Sequence, residues 1–257
     1  MSPPNVLKFE TEEHVAVALA NYIADLSAKF IAANGSFSVV LSGGTLIDTM
    51  SLILDRKLVE PPYISSIDWS KWLIFYLDER VVPLDHPDCN HKLAFDGFLS
   101  KVAIPESNIY PIKEGLSPEE AADEYEQRLK HLVANKTLRT SPITGFPKFD
   151  LMLLGMGPDG HVASLFCWHF QRFEKEKWVT FILDSPKPPS ERITFTFPLI
   201  NSASEIAMVV TGEDAADAVK VALGPHASYG YPLPVQKVSP EGEFTWFLDK
   251  ATTSQLK

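Results

Sequence analysis

The chain has 257 residues, of which 45% are hydrophobic and 22% charged, and its formal net charge at pH 7 is −10. This composition is that of a globular protein that can bury a core without disulfides or a structural metal. The negative charge argues against a nucleic acid or an anionic membrane surface as a partner, and the two cysteines form no disulfide framework and fit a reducing compartment.

The N-terminal segment predicts a helix, a strand and a glycine loop. Apolar residues recur at helical spacing through residues 10–34, and Gly35 follows as a stop signal. Residues 36–41 predict a strand that enters Ser42-Gly43-Gly44-Thr45, and the helical period returns in residues 46–58. The N–H groups of such a loop can cradle a phosphate, although an ordinary tight turn explains so short a motif equally well.

Three charged residues follow the next predicted strand. Residues 72–77 are apolar and lead directly into Asp78-Glu79-Arg80. Because open α/β sheets bind ligands at the carboxyl ends of their strands, these side chains are candidates for a binding site. The alternative is a solvated turn with a surface ion pair. A loop over residues 84–90 and a helix over residues 91–102 are predicted next.

A second helix start is encoded by Ser117-Pro118-Glu119-Glu120. Ser117 is a capping residue, Pro118 suits the first helical position, and Glu120 completes a capping box. This helix is predicted to continue to about residue 133, with its charges on a solvated face. Residues 135–148 lack periodicity and are predicted as a loop.

The stretch FDLMLLGMGPDGHVASLF, residues 149–166, is the centre of the prediction. Its apolar run predicts a buried strand, which breaks into a glycine-rich turn that ends at Gly160. His161 follows, and the residues after it predict the first turns of a helix. The dipole of that helix would favour a neutral His161 that can act as a base; the alternative is a histidine that only caps the helix.

The C-terminal part continues the alternation of strands and helices. Strands are predicted at 178–183, 193–197, 206–210 and 245–248, a helix at 213–223, a loop at 227–234 and a short helix after the last strand. Lys187 and Arg192 lie in or beside the proline-rich loop 185–190 and would supply positive charge next to the crevice, unless that loop is only a rigid spacer. The pattern predicts an α/β fold with a mainly parallel sheet in a single domain, residues 1–257. No G-x-G-x-x-G follows the first strand, so no dinucleotide site is expected.

Residues 155–166, GMGPDGHVASLF, resemble the signature of the 6-phosphogluconolactonases in the glucosamine-6-phosphate isomerase/6-phosphogluconolactonase family. Further blocks that resemble this family occur in the same order along nearly the whole chain: LSGGT, YLDERVVPLDHPDCN, SPKPPSERIT, VVTGEDAADAV and FLDKAT. The amino-acid sequence is most similar to those of plant members of the family. The resemblance implies a Rossmann-like, mainly parallel sheet flanked by helices, similar to that of glucosamine-6-phosphate deaminases, with a small additional β-containing region.

The same resemblance implies a cofactor-independent hydrolase that converts 6-phospho-D-glucono-1,5-lactone into 6-phospho-D-gluconate in the oxidative pentose phosphate pathway. Lactone hydrolysis needs a base for water, donors for the oxyanion and a clamp for the phosphate. We assign the base to His161, and leave open whether Asp159 or Asp78 orients it or binds sugar hydroxyls. The expected substrate and phosphate contacts are Ser42, Gly43, Gly44, Thr45, Asp78, Arg80, Lys187 and Arg192. Ser164 is expected to serve packing or a backbone hydrogen bond.

Two features of the sequence keep other interpretations open. Cys89-Asn90-His91 and Cys167-Trp168-His169 are both Cys-x-His pairs, but their spacing is not that of a zinc site, and no metal is expected. The segment 167–172 departs from the Pro-x-His-Pro that is usual in the family, so it can reshape the mouth of the pocket. A deaminase-type isomerase and a non-catalytic sugar-phosphate-binding homologue are therefore the alternative functions.

The subcellular location of the protein is predicted from the targeting signals that its sequence does not show. The N-terminus has neither the apolar region of a signal peptide nor the composition of a transit peptide, and the C-terminus is not a peroxisomal signal. No apolar run approaches the length of a membrane span. We therefore expect a cytosolic protein, monomeric or weakly homodimeric, whose partner is a small sugar-phosphate lactone and neither a nucleic acid nor a membrane.

Overall fold

The computed structural model describes residues 3–43, 58–224 and 232–256, and a parallel sheet lies at its centre. The strands of this sheet are β1 (Asn5–Phe9), β2 (Phe37–Leu41), β3 (Trp72–Tyr76), β7 (Leu151–Leu154), β10 (Glu205–Val210) and β11 (Glu243–Asp249). Their spatial order is β1-β11-β10-β7-β2-β3, and every neighbouring pair is parallel. The four strands β10, β7, β2 and β3 are buried along their whole length, which explains their continuous apolar sequences.

A small antiparallel sheet continues from the end of β3. It consists of β4 (Asp78–Arg80), β9 (Arg192–Phe195) and β8 (Val179–Ile182), in the order β4-β9-β8. Leu77 joins the two sheets, because its N–H donates to Leu41 of β2 while its carbonyl accepts from Phe195 of β9. Two strands of two residues each, β5 (Arg139–Thr140) and β6 (Pro147–Lys148), form a separate antiparallel pair that precedes β7 in the chain. The predicted mainly parallel α/β fold with a small additional β-containing region is confirmed.

Helices cover both faces of the parallel sheet. They are α1 (Glu12–Asn34), α2 (Tyr63–Ser66), α3 (Asn90–Gly97), α4 (Pro118–Ala134), α5 (Phe197–Asn201) and α6 (Ala216–Leu223). On one face α1 contributes Leu19 and Ile23 to an apolar cluster. On the other face α4 contributes Tyr125 and Leu129 to a second cluster, which extends over the small sheet.

The two long helices lie close to their predicted positions, although α1 begins at Glu12, two residues after the predicted start. The side chain of Thr11 caps α1, and Gly35 ends it with φ 81°, a conformation that glycine adopts without steric cost. Ser117 and Glu120 form both hydrogen bonds of the capping box of α4, with Pro118 at its start. Inside the protein, Glu126 of α4 accepts the N–H groups of Trp178 and Val179, which fixes β8 against this helix.

Several predicted elements differ from the structure. Strand β1 is missing from the prediction, and residues 250–255 form turns where a short helix was expected. Helix α3 ends at Gly97, and residues 99–101 continue as a 3₁₀ turn. The helix predicted over residues 46–58 lies, except for its last residue, outside the described residues. So does most of the loop predicted over residues 227–234.

One helix within the described residues, α1, is long and apolar enough by length and composition to cross a membrane, which the sequence analysis did not anticipate. In the structure its residues Val15, Leu19 and Ile23 are fully buried among side chains of the sheet. A helix in the core of a folded domain meets the same criterion, so this finding is only weak support for a membrane span.

We expect Ser117→Ala to lower the free energy of unfolding by about 1 kcal/mol, because the substitution leaves the Glu120 N–H at the helix start without its partner. Ser117→Thr keeps the hydroxyl and is the control. Denaturant unfolding measures the difference, and equal losses in both variants would contradict a capping role.

Candidate active site

A cavity of about 400 Å³ opens at the carboxyl ends of the central strands. From β2 the chain goes to β3 on one side, while β7 lies on the other side, so the order of strands reverses between β2 and β7. Ligands of open α/β sheets bind at such a switch point. The lining residues that directly follow β2, β7 and β10 are Ser42, Gly43, Gly155, Met156, Gly157, Thr211 and Gly212.

His161 lines this cavity, but the helix predicted after it does not form. Residues 161–169 are turns and short bridges: Val162 pairs with Leu165, and Ala163 has a positive φ of 52° that no α-helix contains. The N–H of Ser164 donates to the Thr194 hydroxyl instead of entering a helix. The prediction that a helix dipole acts on His161 is therefore wrong, and the charge next to the imidazole is that of the Asp159 side chain.

The side chain that orients His161 is Asp159. Its Oδ1 lies 2.5 Å from Nδ1 of His161, and because a carboxylate can only accept, Nδ1 carries the hydrogen. Burial alone would raise the pKa of Asp159. The hydrogen bond and charge of His161 and the charge of Lys187 together outweigh burial, so the pKa lies below its usual value. Asp159 is thus a carboxylate at neutral pH, and the imidazole presents its other nitrogen, Nε2.

Glycine is required at position 157 by the imidazole itself. A Cβ at Gly157 would lie 2.1 Å from Cε1 and 2.2 Å from Nδ1 of His161, and 2.7 Å from the Asp159 carboxylate. The N–H of Gly157 donates to the His161 carbonyl, and the N–H of Gly160 donates to the Gly157 carbonyl. This closed turn, with φ 77° at Gly160, holds the His161–Asp159 pair against the main chain.

A second group of buried polar side chains at the cavity connects two strands of the small sheet, β4 and β9, to the turn that follows His161. Asp78 and Arg192 are only 4% and 3% exposed, and their side chains lie 4.0 Å apart. The Ser164 hydroxyl connects them, since it donates to Asp78 Oδ2 at 2.7 Å and accepts from Arg192 Nη1 at 3.3 Å. The second oxygen of Asp78, Oδ1, is buried with no partner in the described part of the chain. A buried acceptor of this kind is available to a ligand hydroxyl.

Three cationic side chains line the same cavity. Arg80 and Arg192 are directly opposite each other in the β4–β9 pairing. Lys187 is exposed at the rim. Burial lowers the pKa of Arg192, while the charge of Asp78 opposes this effect; a guanidinium stays protonated in either case. Like charges placed directly opposite each other destabilise a sheet, so this pairing favours an anionic ligand.

Glu79 connects the end of β4, where Arg80 lies, to the start of α3. Its buried carboxylate accepts the N–H groups of Arg80 at 2.8 Å, Asn90 at 2.7 Å and His91 at 2.9 Å. Burial raises the pKa of Glu79 to about 7, although these three hydrogen bonds act in the opposite direction. The side chain of Arg80 then reaches back across the loop to the Asp88 carbonyl.

Most of the residues predicted for the site are brought together. Seven of them line the cavity: Ser42, Gly43, Asp78, Arg80, His161, Lys187 and Arg192. Asp159 contacts His161 from outside the lining. Gly44 and Thr45 lie outside the described residues.

Several supporting residues of the site were not predicted from the sequence. Ser164 and Glu79 are two of them, because their partners are distant in sequence or contacted through the main chain. A third is Gly212, a cavity residue with φ 86° whose N–H donates to the buried Asp249. A glycine directly after a buried strand is the signal that could have indicated this position.

The unusual segment 167–172 lies behind the His161 turn. The Cys167 thiol donates to the Asp159 carbonyl at 3.4 Å, and the buried Arg172 donates to the carbonyls of Cys167 and Pro232. Trp168 and Phe170 point outward and are 86% and 87% exposed. The other cysteine, Cys89, donates to Glu79. Within residues 3–43, 58–224 and 232–256, no group of three or more His, Cys, Asp or Glu side chains is arranged to hold a metal ion.

Comparison with known proteins places these residues in a family. The model of the glucosamine-6-phosphate isomerases/6-phosphogluconolactonase family matches residues 10–246. The probable chloroplastic 6-phosphogluconolactonase 4 of Oryza sativa subsp. indica is 58% identical over 98% of this chain and 76% of its own length. The probable 6-phosphogluconolactonase 5 of Arabidopsis thaliana is 50% identical over 100% of both chains.

A solved structure gives the same assignment. The 6-phosphogluconolactonase of Thermotoga maritima superimposes with a TM-score of 0.77 at 26% identity, over 96% of this chain and 100% of that one. The chain belongs to the glucosamine-6-phosphate isomerase/6-phosphogluconolactonase family.

We expect Glu79 to make stability depend on pH. Its pKa of about 7 in the folded state lies above its ordinary value of 4.5, so the folded protein binds this proton more tightly. The contribution is fully present below pH 4.5 and is lost as the pH rises through 7, a change of about 3 kcal/mol.

The measurement is the free energy of unfolding of the wild type minus that of Glu79→Gln across this pH range. Glu119→Gln, at an exposed position of α4, controls for the loss of a negative charge. A difference that stays constant with pH would contradict the assignment of this ionisation to Glu79.

Proposed function

We propose that the chain hydrolyses 6-phospho-D-glucono-1,5-lactone to 6-phospho-D-gluconate, a step of the oxidative pentose phosphate pathway. The observation that carries this proposal is the His161–Asp159 pair on a cavity that also contains Arg80, Lys187 and Arg192. A general base beside concentrated positive charge suits a substrate that combines an uncharged lactone ring with an anionic phosphate. The relatives named as 6-phosphogluconolactonases support the same reaction.

His161 is the general base. Its Nε2 takes a proton from a water molecule as the water oxygen bonds to the lactone carbonyl carbon. The tetrahedral intermediate then collapses, the bond to the ring oxygen breaks, and the protonated imidazole returns the proton to that oxygen. The new carboxylic acid ionises in solution. Asp159 keeps the hydrogen on Nδ1 and stabilises the imidazolium that forms between the two proton transfers.

The cations and the glycine loop hold the phosphate. The chain carries a net charge of −10, so its overall field repels a phosphorylated substrate. Arg80, Lys187 and Arg192 reverse the sign locally, and the N–H groups of the loop Ser42-Gly43-Gly44-Thr45 supply hydrogen bonds in our assignment. The free oxygen of Asp78 accepts from a sugar hydroxyl.

The proposal includes the subcellular location and the oligomeric state of the protein. Relatives from Arabidopsis thaliana that match over 97% and 100% of their own length have names without an organelle, which supports a cytosolic form. Subcellular fractionation tests this location. The prediction of a monomer or weak homodimer is tested by sedimentation velocity.

We expect His161→Ala to hydrolyse the freshly made lactone at no more than the spontaneous rate, while it still binds 6-phosphogluconate. Removal of a general base typically costs a factor of about 10²–10⁴, and the phosphate contacts stay in place. The assay follows lactone loss with the uncatalysed rate subtracted. A mutant as active as the wild type would contradict the base assignment alone.

An inactive wild type would contradict the proposed function. Binding of 6-phosphogluconate without turnover would then identify a non-catalytic homologue. Release of ammonia from glucosamine 6-phosphate would identify a deaminase.

We expect Lys187→Ala to raise KM about tenfold with little change in kcat, because Lys187 binds the phosphate, which does not react. Since an exposed charge is screened by salt, the difference between the two proteins is expected to shrink at high ionic strength. Lys8→Ala, on the edge strand β1, is the matched control. A fall in kcat at unchanged KM would place Lys187 at the reacting group instead.

A further inference from the structure

We infer that Asn90 is a positioning residue, which sets the distance between Gly43, after β2, and the Asp78 segment after β3. The inference rests on the proposed function, in which these two segments hold the sugar phosphate. Asn90 is not among the residues that line the cavity, so its effect passes through its neighbours.

The side chain of Asn90 lies between the two segments. It is completely buried. On one side its Nδ2 donates to the main-chain carbonyl of Asp78 at 2.8 Å. On the other side it is packed against Gly43, where a Cβ would lie 2.1 Å from Nδ2 and Oδ1 and 2.2 Å from Cγ. The amide therefore fills the space that a side chain at position 43 would need.

The main chain of Asn90 is fixed as well. Asn90 is the first residue of α3, and its N–H donates to the buried Glu79 carboxylate at 2.7 Å. Glu79 also binds the N–H of Arg80. The Glu79 carboxylate thus fixes the main chain at both Arg80 and Asn90. This keeps the Asn90 side chain in contact with Gly43.

The hydrogen-bonding state of the amide points to a role beyond stability. Its Oδ1 is buried without a partner in the described part of the chain, and an unsatisfied buried acceptor costs free energy. An apolar side chain of similar size would avoid this cost, but it would lose the hydrogen bond from position 90 to the Asp78 carbonyl. The geometry therefore favours correct spacing of the site over maximal stability.

The test combines binding, kinetics and stability in Asn90→Ala, Gly43→Ala and the double variant. We expect Asn90→Ala to weaken 6-phosphogluconate binding about tenfold and to raise KM by a similar factor, with kcat changed less than about threefold. Asn90→Asp keeps the size of the side chain but replaces the donor, so it should show the same loss. Calorimetry gives Kd, and initial rates give KM and kcat.

The double variant tests the contact itself. Gly43→Ala should weaken binding at least about tenfold alone, but less than about twofold when Asn90 is already alanine, because the clash is then removed. Asn108→Ala is the control: its Nδ2 donates to the carbonyls of Ser70 and Trp72 at the opposite end of β3. It is expected to lower the melting temperature and leave Kd and KM unchanged.

Two results would overturn the inference. One is an Asn90→Ala protein that only loses stability, as Asn108→Ala does, with Kd and KM unchanged. The other is a Gly43→Ala effect that is the same with and without Asn90. A wild type that binds 6-phosphogluconate but does not hydrolyse the lactone contradicts the proposed function alone, and the Kd values still decide the role of Asn90. A wild type that does neither overturns both.

Discussion

The site depends on the burial of two carboxylates, Asp78 and Glu79, immediately after a strand with no exposed residue. A carboxylate out of water needs hydrogen-bond donors, and the N–H of Arg80 is the one that a neighbouring residue supplies, to Glu79. The chain supplies others from distant segments: Ser164 for Asp78, and the main chain at Asn90 and His91 for Glu79. Satisfying these two groups therefore draws the His161 turn and the start of α3 towards the end of β3, which creates the walls of the cavity.

The parts that the sequence predicts are those controlled by local rules. The central strands are buried on both faces, so their apolar runs are unambiguous. The end of α1 is encoded by Gly35 and the start of α4 by the Ser117–Glu120 box, whose hydrogen bonds span only a few residues. Because parallel strands share one carboxyl edge, the residues after each strand could be expected to converge, and seven of those predicted do line one cavity.

The parts that it does not predict are controlled by contacts between distant residues. The segment after His161 has a sequence that favours a helix, yet Ser164 satisfies Asp78 and its own N–H goes to Thr194. A helix would leave the buried Asp78 with one donor fewer, so tertiary hydrogen bonding decides the conformation. Glu79 and Asn90 were not predicted for the same reason, since their function is visible only once the loop between them is closed. Strand β1 is an edge strand, and the pairing with β11 defines it.

Several contacts at the cavity are unfavourable for the stability of the ligand-free protein. Arg80 and Arg192 oppose each other across β4 and β9, and Asp78 Oδ1, Arg80 Nε and Asn90 Oδ1 are buried without partners in the described part of the chain. Elsewhere, buried carboxylates such as Asp150 and Glu126 have donors for both oxygens. The cavity edge of the sheet therefore combines unused hydrogen-bonding capacity with two opposed arginines, while His169, Arg172 and Trp246 also have a buried atom without a partner in the described residues. A polyol that carries a phosphate would bind the arginines with its phosphate and the free oxygen of Asp78 with a hydroxyl, and its binding would stabilise the segments that carry these residues.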